Sequence, residues 1–226
     1  MKSADLTQDC VLAAVRQRLA DHHRLYPIIK VRDYLWEYVL FAVMNDVIPE
    51  YGPHWDYGSQ KIGRDITLDI GLEISCKSGQ IHTDGRIKIS SSRLSRLSDV
   101  EKVKNYLCTV KTEDYIACLS TKKGDTPMFD GEPQYLYSVY DAGVFDYQNM
   151  TWELFGKDSN LRGRHASGVM VTCTKAMGWQ VWYYLPTDLA LFSAEINPTT
   201  DWAVPMALPV YQRQGKLAAE DLFRFS

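Results

Sequence analysis

The sequence lacks most of the signatures that would assign a chemistry at once. It has no P-loop, no GxGxxG turn and no GxSxG nucleophile elbow. Its five histidines, His22, His23, His54, His82 and His165, show no HxxxH or His/Cys spacing for zinc. Its five cysteines, Cys10, Cys76, Cys108, Cys118 and Cys173, are scattered without a CxxC pair, which argues against a disulfide framework and for reduced, mostly buried thiols. The longest apolar run, YLWEYVLFAVM, is far short of the roughly 20 residues that span a bilayer, and it contains Glu37. The first residues, MKSADLTQDCVLAAVRQR, lack the uninterrupted apolar stretch and small-residue cleavage site of a signal peptide. There is no repeat and no low-complexity block. The expectation is a soluble, cytoplasmic protein with no membrane partner.

What is present is ordinary in bulk and uneven in detail. The 226 residues are 46% hydrophobic and 23% charged, with a net charge of −3. That fits one domain, with a core in residues 1–125 and an elaborated second half in residues 126–226. Between residues 86 and 104, however, six cations stand against two acids. A local basic surface on a mildly acidic protein suits a confined anionic partner.

Along the chain, residues 4–21 read as a helix, and Pro27 separates it from a second helix over about 32–48 that Pro49 ends. The second helix is apolar nearly all round and should be buried on several sides. Residues 50–64 read as a loop. Two strand-like runs follow at 65–70 and 72–78, then a strand at 86–90 after the turn QIHTDGR. Ser98 with Glu101 matches a capping box and should open a helix to about Cys108. DYIACLST reads as a buried strand, and QYLYSVYD, GVMVTCT and WQVWYYLP as strands, the last two forming a hairpin. The tryptophans and tyrosines of this half (Trp152, Trp179, Trp182, Tyr183, Tyr184) read as sheet packing. The fold class is α/β, more strictly mixed α+β, with a central mixed sheet, flanking helices and an appended strand-rich half.

The stretch GRDITLDIGLEISCKSG, residues 63–79, gathers charge on one face. Side chains alternate along a strand, so Glu73, Ser75 and Lys77 share a side, opposite Ile74 and Cys76. An odd-numbered connection around Gly71 places Asp65 on that side as well, whereas a two-residue connection would set Asp65 opposite Cys76 on the other face. A three-residue connection at 70–72 would set Asp65 opposite Lys77 and Asp69 opposite Glu73. Acids and a lysine on one face are what phosphodiester hydrolysis requires, because a hard cation takes carboxylate and carbonyl oxygens while a lysine steadies developing charge.

GSQKIGRDI followed by LEISCKSG resembles the active-site stretch of the PD-(D/E)XK nuclease superfamily, in the style of bacterial type II restriction endonucleases. The resemblance covers residues 33–121. It implies a restriction-endonuclease-like core and Mg²⁺-dependent cleavage of double-stranded DNA by a homodimer in a bacterial or archaeal cytoplasm. It implies Asp65 as metal-binding aspartate and Lys77 as catalytic lysine, with Mg²⁺ on Asp65, the Cys76 carbonyl and an acid from Glu37 or Glu73. The acid expected two residues before Lys77 is Ser75, a departure that equally fits an inactive DNA-binding relative. Ser59, Lys61 and Arg64 precede the motif as phosphate-contact candidates. Lys88, Ser91, Ser92, Arg93 and Arg96 follow it, with hydroxyls and guanidiniums suited to phosphate oxygens. Arg162 and Arg164 in LRGRHASG read as a mobile recognition loop, arginine being the side chain that commonly reads guanine edges.

Overall fold

Helix α1 runs from Asp9 to Leu25 and α2 from Tyr34 to Val47. The computed structural model describes residues 6–7, 9–26, 29–56, 64–110, 113–122, 134–156 and 160–197. As its composition demands, α2 buries Trp36, Tyr38, Val39, Leu40, Ala42, Val43 and Met44 around most of its circumference. Arg18 on α1 is buried, donates to the Ala42 carbonyl (3.3 Å) and pairs with Asp46, which ties the two helices together.

After a 3₁₀ turn at Pro49–Tyr51, β1 (Pro53–Trp55) pairs antiparallel with β2 (Ile66–Leu68). The sequence signal for β1 is weak, since the strand is three residues long and opens on a proline. Then come β3 (Glu73–Ile81), β4 (Arg86–Leu94), α3 (Val100–Thr109) and β5 (Tyr115–Lys122). Asp99, not Ser98, caps α3: its carboxylate accepts from Lys102 N (3.0 Å), while Ser98 Oγ donates to the same side chain (2.9 Å). The expected box lies one residue early: Asp99 takes the free helix N–H, and Ser98 is engaged in supporting the Asp99 carboxylate.

The remaining strands are β6 (Tyr135–Asp141), β7 (Thr151–Phe155), β8 (Asn160–Arg164), β9 (Met170–Lys175), β10 (Trp179–Pro186) and β11 (Phe192–Ile196). All eleven join one mixed sheet in the order β11-β6-β5-β3-β4-β10-β9-β8-β7, with β2 also on β3 and β1 on β2. The β9–β10 hairpin is as expected. Arg162 and Arg164 are not in a loop: they lie on β8, paired on both sides with β7 and β9. The glycine between them, Gly163, packs its α-carbon face against Met150 and Trp152, so the loop-like composition reflects a tight inter-side-chain fit.

The sheet carries a core on each face. One contains α1 and α2 against Ile66, Leu68, Ile74, Cys76, Ala117 and Leu119. The other contains α3 residues Val103 and Leu107 with Ile87, Ile89, Ile116, Cys118, Val171, Cys173 and Val181. Parallel pairing of β3 with β5 puts Ser75 beside Ile116 and Lys77 beside Cys118, on the second face. Among the described residues, no helix is long and apolar enough to cross a membrane.

Candidate active site

The connection between β2 and β3 is a three-residue turn. Leu68 N donates to Leu72 O (3.0 Å) and Gly71 N to Leu68 O (2.8 Å), with Gly71 at φ 83°, a conformation that a side chain would strain. Ile66 pairs with Ile74 and Thr67 with Glu73. Of the two parities the sequence left open, the structure has the odd one, but its register differs by two residues from the three-residue connection considered at 70–72. Asp65 faces Ser75, not Lys77, and Thr67, not Asp69, faces Glu73. The turn consists of residues 69–71, not 70–72, because Asp69 is drawn outward: its N–H donates to Tyr51 O (3.0 Å) and its carboxylate meets His54 Nε2 at 2.7 Å.

This register produces a break in the strand pairing. The first part of β3 pairs with β2 through Ile74, and the last part pairs with β4 from Gly79 onward. Between them the Cys76 peptide group has no strand on that side. Asp65 fills the gap: its Oδ2 accepts from Cys76 N (2.6 Å), Ser75 Oγ (3.1 Å) and Lys77 Nζ (3.0 Å). Lys77 Nζ also donates to Cys76 O (3.2 Å). The lysine reaches Asp65 diagonally, the two side chains being only 17% and 18% exposed.

Two further carboxylates feel this pair. Glu37, on the first turn of α2, accepts from Trp55 Nε1 (3.4 Å) and is not paired with Arg32, which contacts Asp33. Burial raises the Glu37 pKa above the usual carboxylate range, and the nearby charge of Asp65 raises it further, against the opposing pull of Lys77. Glu113, just before β5, has its pKa raised mainly by burial, with the charge of Asp65 adding to the rise and Lys77 and the Ser75 hydroxyl opposing it. Glu113 was not among the residues expected from sequence. Its signal was only an acid ahead of a buried strand, and its position depends on the parallel β3–β5 register that brings the two strand starts together. The Ser75 hydroxyl donates to Asp65, on the strand position where the resemblance implies an acid.

Glu73 is not part of this group. Its Oε1 accepts from Arg64 Nη1 (3.1 Å), and Arg64 Nε also lies 2.7 Å from Asp56. Arg64 and Glu73, expected as a phosphate contact and a metal ligand, are held as an ion-pair cluster beside the turn. The structure thus places Asp65, Lys77, Ser75, the Cys76 carbonyl and Glu37 together, adds Glu113, and leaves Glu73 aside.

For Lys77, burial favours the neutral amine, but the charge and hydrogen bond of Asp65 outweigh it, so the net shift is upward and the ammonium is retained. The Cys76 thiol is pushed far up by burial, and Cys118 and Cys173 to about 12 for the same reason, so none of these three is a thiolate nucleophile.

The donor set suits a hard cation. Asp65, Glu37, Glu113 and the Cys76 carbonyl offer only oxygens around a single ammonium. Such a group fits Mg²⁺ better than a soft metal. Among the described residues, no three His, Cys, Asp or Glu side chains close into a preformed metal cage. Mg²⁺ seldom needs one, since it takes one or two protein carboxylates and completes its shell with water and phosphate.

The other candidates fall elsewhere. Ser59 and Lys61 lie outside the described residues. Arg96 is exposed in the turn after β4. Ser91 and Ser92 lie on β4. Between Ser90 and Arg93 this strand carries a bulge: Trp182 pairs with Ser90 and Gln180 with Arg93. The extra residue returns Arg93 to the side of the sheet that carries Lys88. Arg162 and Arg164 project from the same side on β8, both reaching Glu153 (3.2 and 3.1 Å). No protein-family model matches the chain, and no curated protein matches it significantly.

Proposed function

We propose that this chain is a Mg²⁺-dependent endonuclease that hydrolyses phosphodiester bonds of double-stranded DNA, in the manner of a type II restriction enzyme acting as a homodimer. The observation that carries this reading is the convergence of Asp65 and Lys77 on the Cys76 peptide, whose N–H and C=O they take in place of a neighbouring strand, with Glu37 and Glu113 beside them. A divalent cation bound there would neutralise phosphate charge and make a bound water more acidic. Asp65, the Cys76 carbonyl and a carboxylate from Glu113 or Glu37 are the groups to hold it.

The protein groups have distinct tasks. Lys77 keeps its proton, so it acts as a donor and a cation, orienting the attacking water and balancing the charge that builds on phosphorus. It is not the general base. Glu113 and Glu37, with raised pKa values, suit acceptance of the proton that water releases. Water oxygen bonds to phosphorus, the bond from phosphorus to O3′ breaks, and the leaving oxygen takes up a proton. The products are a 5′-phosphate and a 3′-hydroxyl.

The test is cleavage of a plasmid and a diverse linear DNA with Mg²⁺. Wild type is expected to cut, with Asp65→Ala and Lys77→Ala slower by about 10²–10³-fold. Glu113→Gln should lose comparable activity, and Glu73→Gln should retain it. A second reading, a non-catalytic DNA-binding protein, is favoured by Ser75 at the acid's position. Absence of cleavage across several divalent metals, with DNA binding intact, would select it.

A further inference from the structure

The half of the sheet formed by β4, β10, β9 and β8 has a second face, on the side of Gln80 and away from Ile87, Ile89, Val171 and Val181. It displays rings and cations. Trp182 and Tyr184 point outward from β10 and belong to none of the hydrophobic core clusters, unlike Trp179 and Tyr183 on the same strand. Both rings are half-buried at the floor of the face. Lys88 Nζ stands over the Trp182 ring at 4.3 Å from its centroid and 5.7 Å from that of Tyr184. Arg86 approaches the Tyr184 ring at 5.8 Å. The bulge in β4 adds Arg93, which is exposed, and Gln180 donates to Ser90 Oγ (2.9 Å) between them. Of these cations, Arg86 pairs with Asp84; among the described residues, the further acid in an ion pair on this face is Glu153 at its far edge.

We infer that this face binds single-stranded nucleic acid, with bases stacked on Trp182 and Tyr184 and phosphates along the β4 row of Arg86, Lys88 and Arg93. The charge is complementary to a phosphate backbone, and the geometry separates strand types. Same-face residues on a strand are about 7 Å apart, and β4 lies about 4.8 Å from β10. Rings and cations therefore form two parallel rows one strand apart, as a single strand presents bases and phosphates. A duplex keeps its bases stacked inside and offers such rings nothing to stack on. Lys88 has a role in both states: it covers the Trp182 ring when the face is free, and it exchanges the ring for a phosphate when a base takes its place.

The surface is tested apart from cleavage, in EDTA, with a labelled oligothymidylate of about 12 nucleotides. Wild type should bind it more tightly than a duplex of equal length and show quenched tryptophan fluorescence. Trp182→Leu should weaken binding about 10-fold and abolish most of the quench, while Trp182→Tyr retains binding. Lys88→Gln should lower the slope of log affinity against log salt by about 0.7. Duplex binding equal to or tighter than single-strand binding would overturn the inference. So would unchanged affinity in Trp182→Leu, or no binding by wild type. Cleavage of duplex by a protein that does not bind the oligomer would remove this surface alone, and binding without cleavage would remove only the nuclease reading.

Discussion

Placing a carboxylate at position 75 is the sharpest probe of the site. Ser75 is fully buried and its hydroxyl lies 3.1 Å from Asp65 Oδ2. Ser75→Asp would set two carboxylates about 4 Å apart, a repulsion of about 4 kcal/mol at an effective dielectric of about 20. Lys77, 3.0 Å from Asp65, also attracts the new charge and offsets roughly half of this. The cation-free protein should lose about 2 kcal/mol, a fall in Tm of about 4–8 °C for a domain of this size. The loss should shrink as pH falls, because one carboxyl with a raised folded pKa is stabilised by taking up a proton. Saturating Mg²⁺ should reverse the loss, and the gain in Tm on adding Mg²⁺ should exceed that of wild type. Thermal melts by circular dichroism in EDTA and in Mg²⁺ read both effects. If Ser75→Asp melts like wild type in EDTA, or gains no more from Mg²⁺ than wild type does, the cluster does not gather carboxylates around a cation.

Two other perturbations test the scaffold. His22 is buried with Nε2 2.7 Å from Ile29 O, and burial lowers its pKa despite that bond; the native state thus binds fewer protons than the unfolded chain, stability is full above the unfolded value of about 6.5 and declines as pH falls below it, and His22→Gln should flatten the decline of Tm between pH 7.5 and about 5. Gly79→Ala would bring a methyl to 2.6 Å from Ile87 Cγ2 and 2.7 Å from Ser120 Oγ, so it should cost about 1–3 kcal/mol in urea unfolding with little change in the m-value.

Local chemistry in the sequence carried much of this structure. The span of β10, the buried character of α2 and the presence of a turn at Gly71 follow from alternation, apolar coverage and the conformational freedom of glycine. What escaped was decided by partners distant in sequence. The two-residue register difference at Asp65 comes from Asp69 being held by Tyr51 and His54. The withdrawal of Glu73 comes from Arg64 and Asp56, and the arrival of Glu113 from parallel pairing across α3. The aromatic pattern of WQVWYYLP was read as packing, which holds for Trp179 and Tyr183. Trp182 and Tyr184 stand on the open face instead, and composition alone does not separate the two sides of a strand.

The break in strand pairing at Cys76 also has a kinetic meaning. Asp65 and Lys77 meet through a hairpin whose closure spans few residues and costs little chain entropy. Glu37 must wait for α2 to dock, and Glu113 for the crossover through α3 to deliver β5 in parallel, contacts of far greater sequence separation. Loop-closure entropy therefore predicts that the aspartate–lysine pair forms early in folding and that Glu37 and Glu113 join it later. A partly folded chain would hold a neutralised pair with little surplus negative charge, so attraction for a dication would develop only as the last long-range strands lock into the sheet.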